Sequence, residues 1–94
     1  MPRESAIERA DRKNHKAAGR LLLKFVSPGR NGMPDDILLN PIPPEHQEIV
    51  ARYFRFVEYK KPKGTPRPDQ LRRHAELRAL GFTVDVIDSQ SAKG

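Results

Sequence analysis

Apolar residues fall along this chain in short bursts, each closed by proline or glycine, a pattern that predicts short elements joined by tight loops. Ser5-Ala6-Ile7-Glu8 has the form of a capping box and predicts a first helix running to Ala18, with Gly19 suited to its end. Leu21 to Val26 is apolar, short and bounded by the turn-like Ser27-Pro28-Gly29, which favours a buried strand; Asp36 to Leu39 reads as a second. The aromatic-rich segment from Tyr53 to Lys60 predicts a third strand. Its alternation puts Phe54, Phe56, Glu58 and Lys60 on one side and Arg55, Val57, Tyr59 and Lys61 on the other. Pro68-Asp69 opens a second long helix with Leu71, Ala75, Leu77 and Leu80 as its apolar stripe, ended by Gly81, and Phe82 to Ile87 forms the last strand. Residues 45–52 fit either a short helix started by Pro43-Pro44 or a hairpin arm. The order predicts a mixed α/β domain, with a single small sheet flanked by helices.

Length and composition narrow this further. Ninety-four residues allow one domain, 1–94, with a small polar tail at 89–94 expected to fray. Hydrophobic residues make up 36% and charged residues 32%, so the core is expected to be thin under a heavily charged surface. The absence of cysteine excludes a disulfide framework, an iron–sulfur cluster, a thiolate zinc site and a cysteine nucleophile. No apolar stretch approaches the roughly 20 residues of a membrane span, and the start lacks an apolar signal core. The expectation is a soluble, intracellular, cytoplasmic protein with no membrane partner.

Charge gives the first functional direction. Eighteen Lys and Arg against twelve Asp and Glu leave a net charge of +6 and a pI near 10.1, which favours a polyanionic partner, nucleic acid first. Aromatic content of 6% without tryptophan argues against a single-strand stacking platform. Phe54 and Phe56 are assigned to the core, and Tyr59 is the aromatic placed near DNA. His46 and His74 have no partners at zinc-binding spacing.

Three residues carry candidate chemistry. Asp35 closes the loop from Pro28 to Pro34 at a strand entry, while Glu58 and Lys60 share one face of the next strong strand. Two carboxylates at a strand edge, with no competing thiol or imidazole, make a hard all-oxygen site suited to Mg²⁺ or Mn²⁺. A lysine beside them would hold a water or a non-bridging phosphate oxygen where negative charge builds. Singly, a Pro-Asp turn and a Glu-x-Lys strand end are ordinary surface features; their joint order on a basic chain is much rarer.

That order resembles the virus-type replication-repair nucleases, the VRR-NUC domains of the PD-(D/E)XK superfamily. The carriers span almost the whole chain: Glu4-Ser5-Ala6-Ile7-Glu8, Gly32-Met33-Pro34-Asp35, Phe56-Val57-Glu58-Tyr59-Lys60, Gln70, and Leu80-Gly81-Phe82-Thr83-Val84. The resemblance implies a restriction-endonuclease-like core of order α-β-β-β-α-β. It implies that Asp35 and Glu58 bind the metal, with Lys60 as the third catalytic residue. Glu4 or Glu8, one helical turn apart, would complete the metal set, with Asp11 and His15 along the same face. Gln70 matches a supporting position near the site. In two places the chain departs from the pattern: three prolines and residues 45–52 replace a short glycine hairpin, and Asp36 stands where an arginine or apolar residue is expected.

Together these point to an Mg²⁺- or Mn²⁺-dependent structure-specific endodeoxyribonuclease, of viral or cellular origin, that cuts branched DNA such as Holliday junctions or flaps in DNA repair. Arg30, Lys61, Lys63, Arg67, Arg72 and Arg73 are the residues expected to track phosphates. A domain this small is expected to work as a homodimer. The alternative is a non-catalytic basic nucleic-acid-binding module in which Asp35, Glu58 and Lys60 form surface ion pairs. A sequence-specific restriction enzyme ranks last, because little chain is left for base-reading elements.

Overall fold

In the computed structural model the described residues are 5–26, 29, 31–60 and 67–88, and they form seven elements. In chain order these are α1 (Ala6–Ala17), β1 (Leu21–Lys24), β2 (Asp36–Leu39), α2 (Pro44–Tyr53), β3 (Phe56–Tyr59), α3 (Pro68–Ala79) and β4 (Val84–Ile87). The α/β class and the expected element order are present, with α2 added between β2 and β3. Among the described residues the strands pair as two two-stranded sheets, β1 with β2 and β3 with β4, where the sequence suggested one sheet. The long connection from β2 to β3 is occupied by α2, and β3 pairs with β4. The chain divides into two compact units, Met1–Pro41 and Ile42–Gly94. The expected frayed tail, 89–94, lies outside the described residues. No described helix is long and apolar enough to cross a membrane.

The first unit is a helix on a hairpin. Ser5 caps α1, its hydroxyl accepting from the Glu8 amide at 3.1 Å while the Glu8 carboxylate accepts from the Ser5 amide at 3.3 Å. Gly19, with φ of 83°, turns the chain so that its amide reaches the Lys16 carbonyl and the Arg20 amide reaches that of His15. β1 and β2 pair antiparallel from Leu21 opposite Leu39 to Lys24 opposite Asp36, and the Phe25 amide extends the ladder to the Asp35 carbonyl at 2.8 Å. Arg12 on α1 bonds the Leu22 carbonyl at 3.0 Å, fixing the helix on the hairpin. Leu22 and Leu39 are the buried apolar residues.

The second unit opens with α2, the segment for which the sequence left two conformations open. Pro44 sits at the first helical turn, where its missing N–H costs nothing. The helix extends to Tyr53, so the residue expected to begin the third strand ends a helix instead. β3 starts only at Phe56, where the backbone first meets a partner: its amide bonds the Thr83 carbonyl at 3.0 Å. β3 and β4 run parallel with Glu58 opposite Val86, and α3 makes the crossover that parallel pairing requires. Phe54, Phe56 and Phe82 pack edge-on with centroids 5.1–6.0 Å apart. Arg55 grips Asp85 with two bonds of 2.7 and 3.0 Å. That guanidinium holds the Asp85 carboxyl below its ordinary range.

The face α3 turns inward differs from the expected stripe. His74 and Leu77 are its buried residues, whereas Leu71 and Ala75 are exposed. Gln70, His74 and Leu77, at i, i+4 and i+7, define the buried side. The helix is rotated because polar side chains at 70 and 74 have charged partners on β3, an attraction that a hydrophobicity pattern does not register.

α3 ends as α1 does. Gly81 has φ of 100°, its amide reaching the Arg78 carbonyl and the Phe82 amide that of Leu77. A Cβ there would stand 2.7 Å from the Gln47 amide nitrogen, which is itself bonded to the Ile42 carbonyl at 3.0 Å. Gly81→Ala is therefore expected to lower unfolding free energy by about 1–2 kcal/mol, measured as a drop in urea midpoint at unchanged slope.

Candidate active site

The candidate site in the second unit is built on strand alternation. Phe56, Glu58 and Lys60 share the covered side of β3, while Val57 and Tyr59 are exposed. Lys60 lies just past the strand, yet its amide still bonds the Ile87 carbonyl at 2.8 Å, so its side chain keeps the phase of Glu58. The Lys60 ammonium pairs with Glu58 Oε2 and also donates to Gln70 Oε1. The same Gln70 oxygen accepts from the Arg67 amide at 3.1 Å, which ties it to the first turn of α3.

One turn further along, His74 Nε2 lies 2.7 Å from Glu58 Oε1. The two Glu58 oxygens thus face different elements, Oε2 the Lys60 ammonium just past β3 and Oε1 the imidazole on α3. Lys60 above all, then His74, holds the Glu58 carboxyl below its ordinary range against the opposing effect of burial. Because an ionised carboxylate only accepts, the imidazole Nε2 carries the proton in this contact. Glu58, Gln70, Arg73, His74 and Leu77 line an open pocket of about 400 Å³. The sequence expectation had no imidazole beside the candidate carboxylates and set His74 aside for want of zinc-spaced partners, whereas the fold brings His74 to Glu58 across from α3. Its position one turn after Gln70 and three residues before the buried Leu77 was the signal available.

The first unit holds the other candidate carboxylates. Glu8 Oε2 is 3.0 Å from Lys24 Nζ, which lowers the Glu8 carboxyl and raises the Lys24 ammonium. Asp36, opposite Lys24, is pushed up, first by burial and then by the neighbouring Glu8 charge. Asp35 is exposed at the bend before β2, and its charge adds the smallest contribution to the raised Lys24 ammonium. Asp11 and His15 pair with each other at 3.5 Å, and His15 Nδ1 accepts from Arg20 at 3.0 Å.

Of the expected phosphate-contacting residues, Arg67, Arg72 and Arg73 are exposed on the opening turns of α3. Arg67 leans toward Asp69 at 3.6 Å and Arg73 toward Glu76 at 3.5 Å. Glu4, Arg30, Lys61 and Lys63 lie outside the described residues.

Among the described residues no group of three or more His, Asp or Glu side chains is assembled for a metal ion. A hard divalent ion does not need one, since Mg²⁺ keeps several waters and commonly takes one or two carboxylates plus substrate phosphate. Glu58 fits that sparse role: it is ionised, an oxygen donor, and lines an open pocket.

Fold and site define a small α/β protein with a carboxylate and a lysine held side by side at the end of strand β3. The chain is 43% identical over 88 residues, covering 94% of its own length and 85% of the relative's, to a protein of Acyrthosiphon pisum secondary endosymbiont phage 1 named "Putative nuclease p44". The chain belongs to the family of that phage protein. No family model matches the chain, and no solved structure matches it.

The lowered Glu58 pKa has a stability consequence. A carboxyl depressed on folding contributes stability above its unfolded pKa and loses it as pH falls through the folded value. Glu58→Gln is therefore expected to lower Tm at pH 7, with the difference from wild type shrinking below the ordinary glutamate range in a pH series of thermal melts.

Proposed function

We propose that this chain is a metal-dependent endonuclease of the VRR-NUC kind, which hydrolyses phosphodiester bonds in DNA and prefers branched substrates such as four-way junctions or flaps. The observation that carries this is the pairing of Glu58 and Lys60 on the covered side of β3, both fixed by α3 beside an open pocket. Kinship with a phage protein named as a nuclease and the net charge of +6 support the same conclusion.

A bound Mg²⁺ or Mn²⁺ would supply Lewis acidity at the scissile phosphate and lower the pKa of a coordinated water. Glu58 is the second unit's ligand for it. The family pattern gives Asp35, and either Glu4 or Glu8, the same kind of role, each open to its own substitution test. Lys60 supplies fixed positive charge for the equatorial phosphate oxygens and a donor to orient the water. It is not assigned as a base, because its donors are committed to Glu58 and Gln70. Gln70 holds the Lys60 ammonium in place from the helix. Exposed Arg67, Arg72 and Arg73 would neutralise phosphates without reading bases. The products expected from the family pattern carry a 5′-phosphate and a 3′-hydroxyl.

The assay is incubation of labelled four-way junction, flap and linear duplex DNA with Mg²⁺, Mn²⁺ or chelator. Metal-dependent nicking of the branched substrates is expected, reduced by about 100-fold or more in Lys60→Ala while DNA affinity largely persists. Tight binding indifferent to metal, with no cleavage of any substrate, would leave a basic nucleic-acid-binding module instead.

A homodimer is also proposed. The few buried apolar residues and the exposed Ile49 and Tyr53 on α2 support burial of a shared surface. Sedimentation at micromolar concentration is expected to show a dimer, and a monomer alone would exclude paired cleavage by a stable dimer.

A further inference from the structure

We infer that His74 is a positioning residue, which aims the Glu58 carboxylate through the 2.7 Å contact of its Nε2 with Oε1. This rests on the nuclease reading of the same site, since it concerns the carboxylate assigned there to the metal.

The need for such a residue follows from what Lys60 must do. Lys60 holds one Glu58 oxygen, yet a lysine that offsets phosphate charge has to turn part of its donor capacity to the substrate. If Lys60 were the sole anchor, Glu58 would lose its orientation at the moment it is required. The second anchor comes from a different element, is rigid where lysine is flexible, and is withdrawn from solvent, with a side chain 8% exposed. An ordinary packing role would be met more cheaply by an apolar residue, because burying an imidazole costs free energy unless it is hydrogen-bonded. Gln70 and His74, one turn apart on α3, thus divide the work: Gln70 holds Lys60 and His74 holds Glu58.

The test compares wild type with His74→Leu, which keeps bulk but donates nothing, and His74→Gln, whose amide can donate. Mn²⁺ binding to the full chain is titrated by electron paramagnetic resonance in the presence of nuclease-resistant four-way junction DNA, and cleavage of unmodified junction is followed against Mn²⁺ concentration. His74→Leu is expected to bind Mn²⁺ about 10–100-fold more weakly, with the cleavage curve displaced to higher metal by a similar factor. His74→Gln is expected to recover most of both. Wild-type Mn²⁺ affinity in a folded His74→Leu would overturn the inference while leaving the nuclease reading intact. Wild-type protein that neither binds Mn²⁺ nor cleaves would overturn the nuclease reading itself. Should neither variant fold, ¹⁵N spectra of wild-type histidine decide. A proton on Nε2, with that resonance moving when Mg²⁺ is added, is expected; a proton on Nδ1 alone would overturn the inference.

Discussion

A charged carboxylate on the covered side of a four-residue strand is tolerable only when donors meet its oxygens, and the second unit is arranged around satisfying Glu58. Lys60 comes from the same strand two residues on, and His74 reaches across from α3. That demand explains why α3 turns Gln70, His74 and Leu77 inward and leaves Leu71 exposed. The same contacts, Lys60 first and then His74, hold the Glu58 carboxyl below its ordinary range.

The first unit solves a related problem with a different outcome. Glu8 and Asp36 both lie near Lys24, and Glu8 makes the close contact. Asp36, half-buried and beside another carboxylate, is pushed toward its protonated form, with only partial relief from Lys24 and Arg12. The two acids therefore respond oppositely to pH. Glu8 contributes stability above the ordinary carboxylate range, whereas Asp36 favours the folded state most below it and loses that contribution as pH rises through its raised value. Asp35, one residue away, is exposed and adds only a minor attraction for the Lys24 charge.

Little of either unit is buried apolar surface: Leu22, Leu39, Leu77 and Val84 form the described core. With so small a hydrophobic contribution, local devices matter more. Serine caps α1, glycines close α1 and α3, and the Arg55–Asp85 clamp joins the segment before β3 to β4. Each of these limits the conformations available to a short segment, which lowers the entropy that packing must offset.

The α/β class, the capping box, the second strand and the glycine stops were legible because they depend on residues within a few positions of one another. The alternation that joins Glu58 to Lys60 was legible for the same reason. Which backbone partner β3 would find, which of its two open conformations the segment 45–52 would take, and which face α3 would bury were not. The strand limits moved inward, to Leu21–Lys24, Phe56–Tyr59 and Val84–Ile87, because a strand lasts only as long as its partner does. His74 shows the limit most clearly. As a letter it is a polar residue without a zinc-spaced companion, and only the tertiary structure brings it to a carboxylate sixteen positions earlier. Local sequence determined which side chains could carry charge and on which side of a strand they stood; the fold alone decided which charges would meet, because desolvation is settled by neighbours distant along the chain.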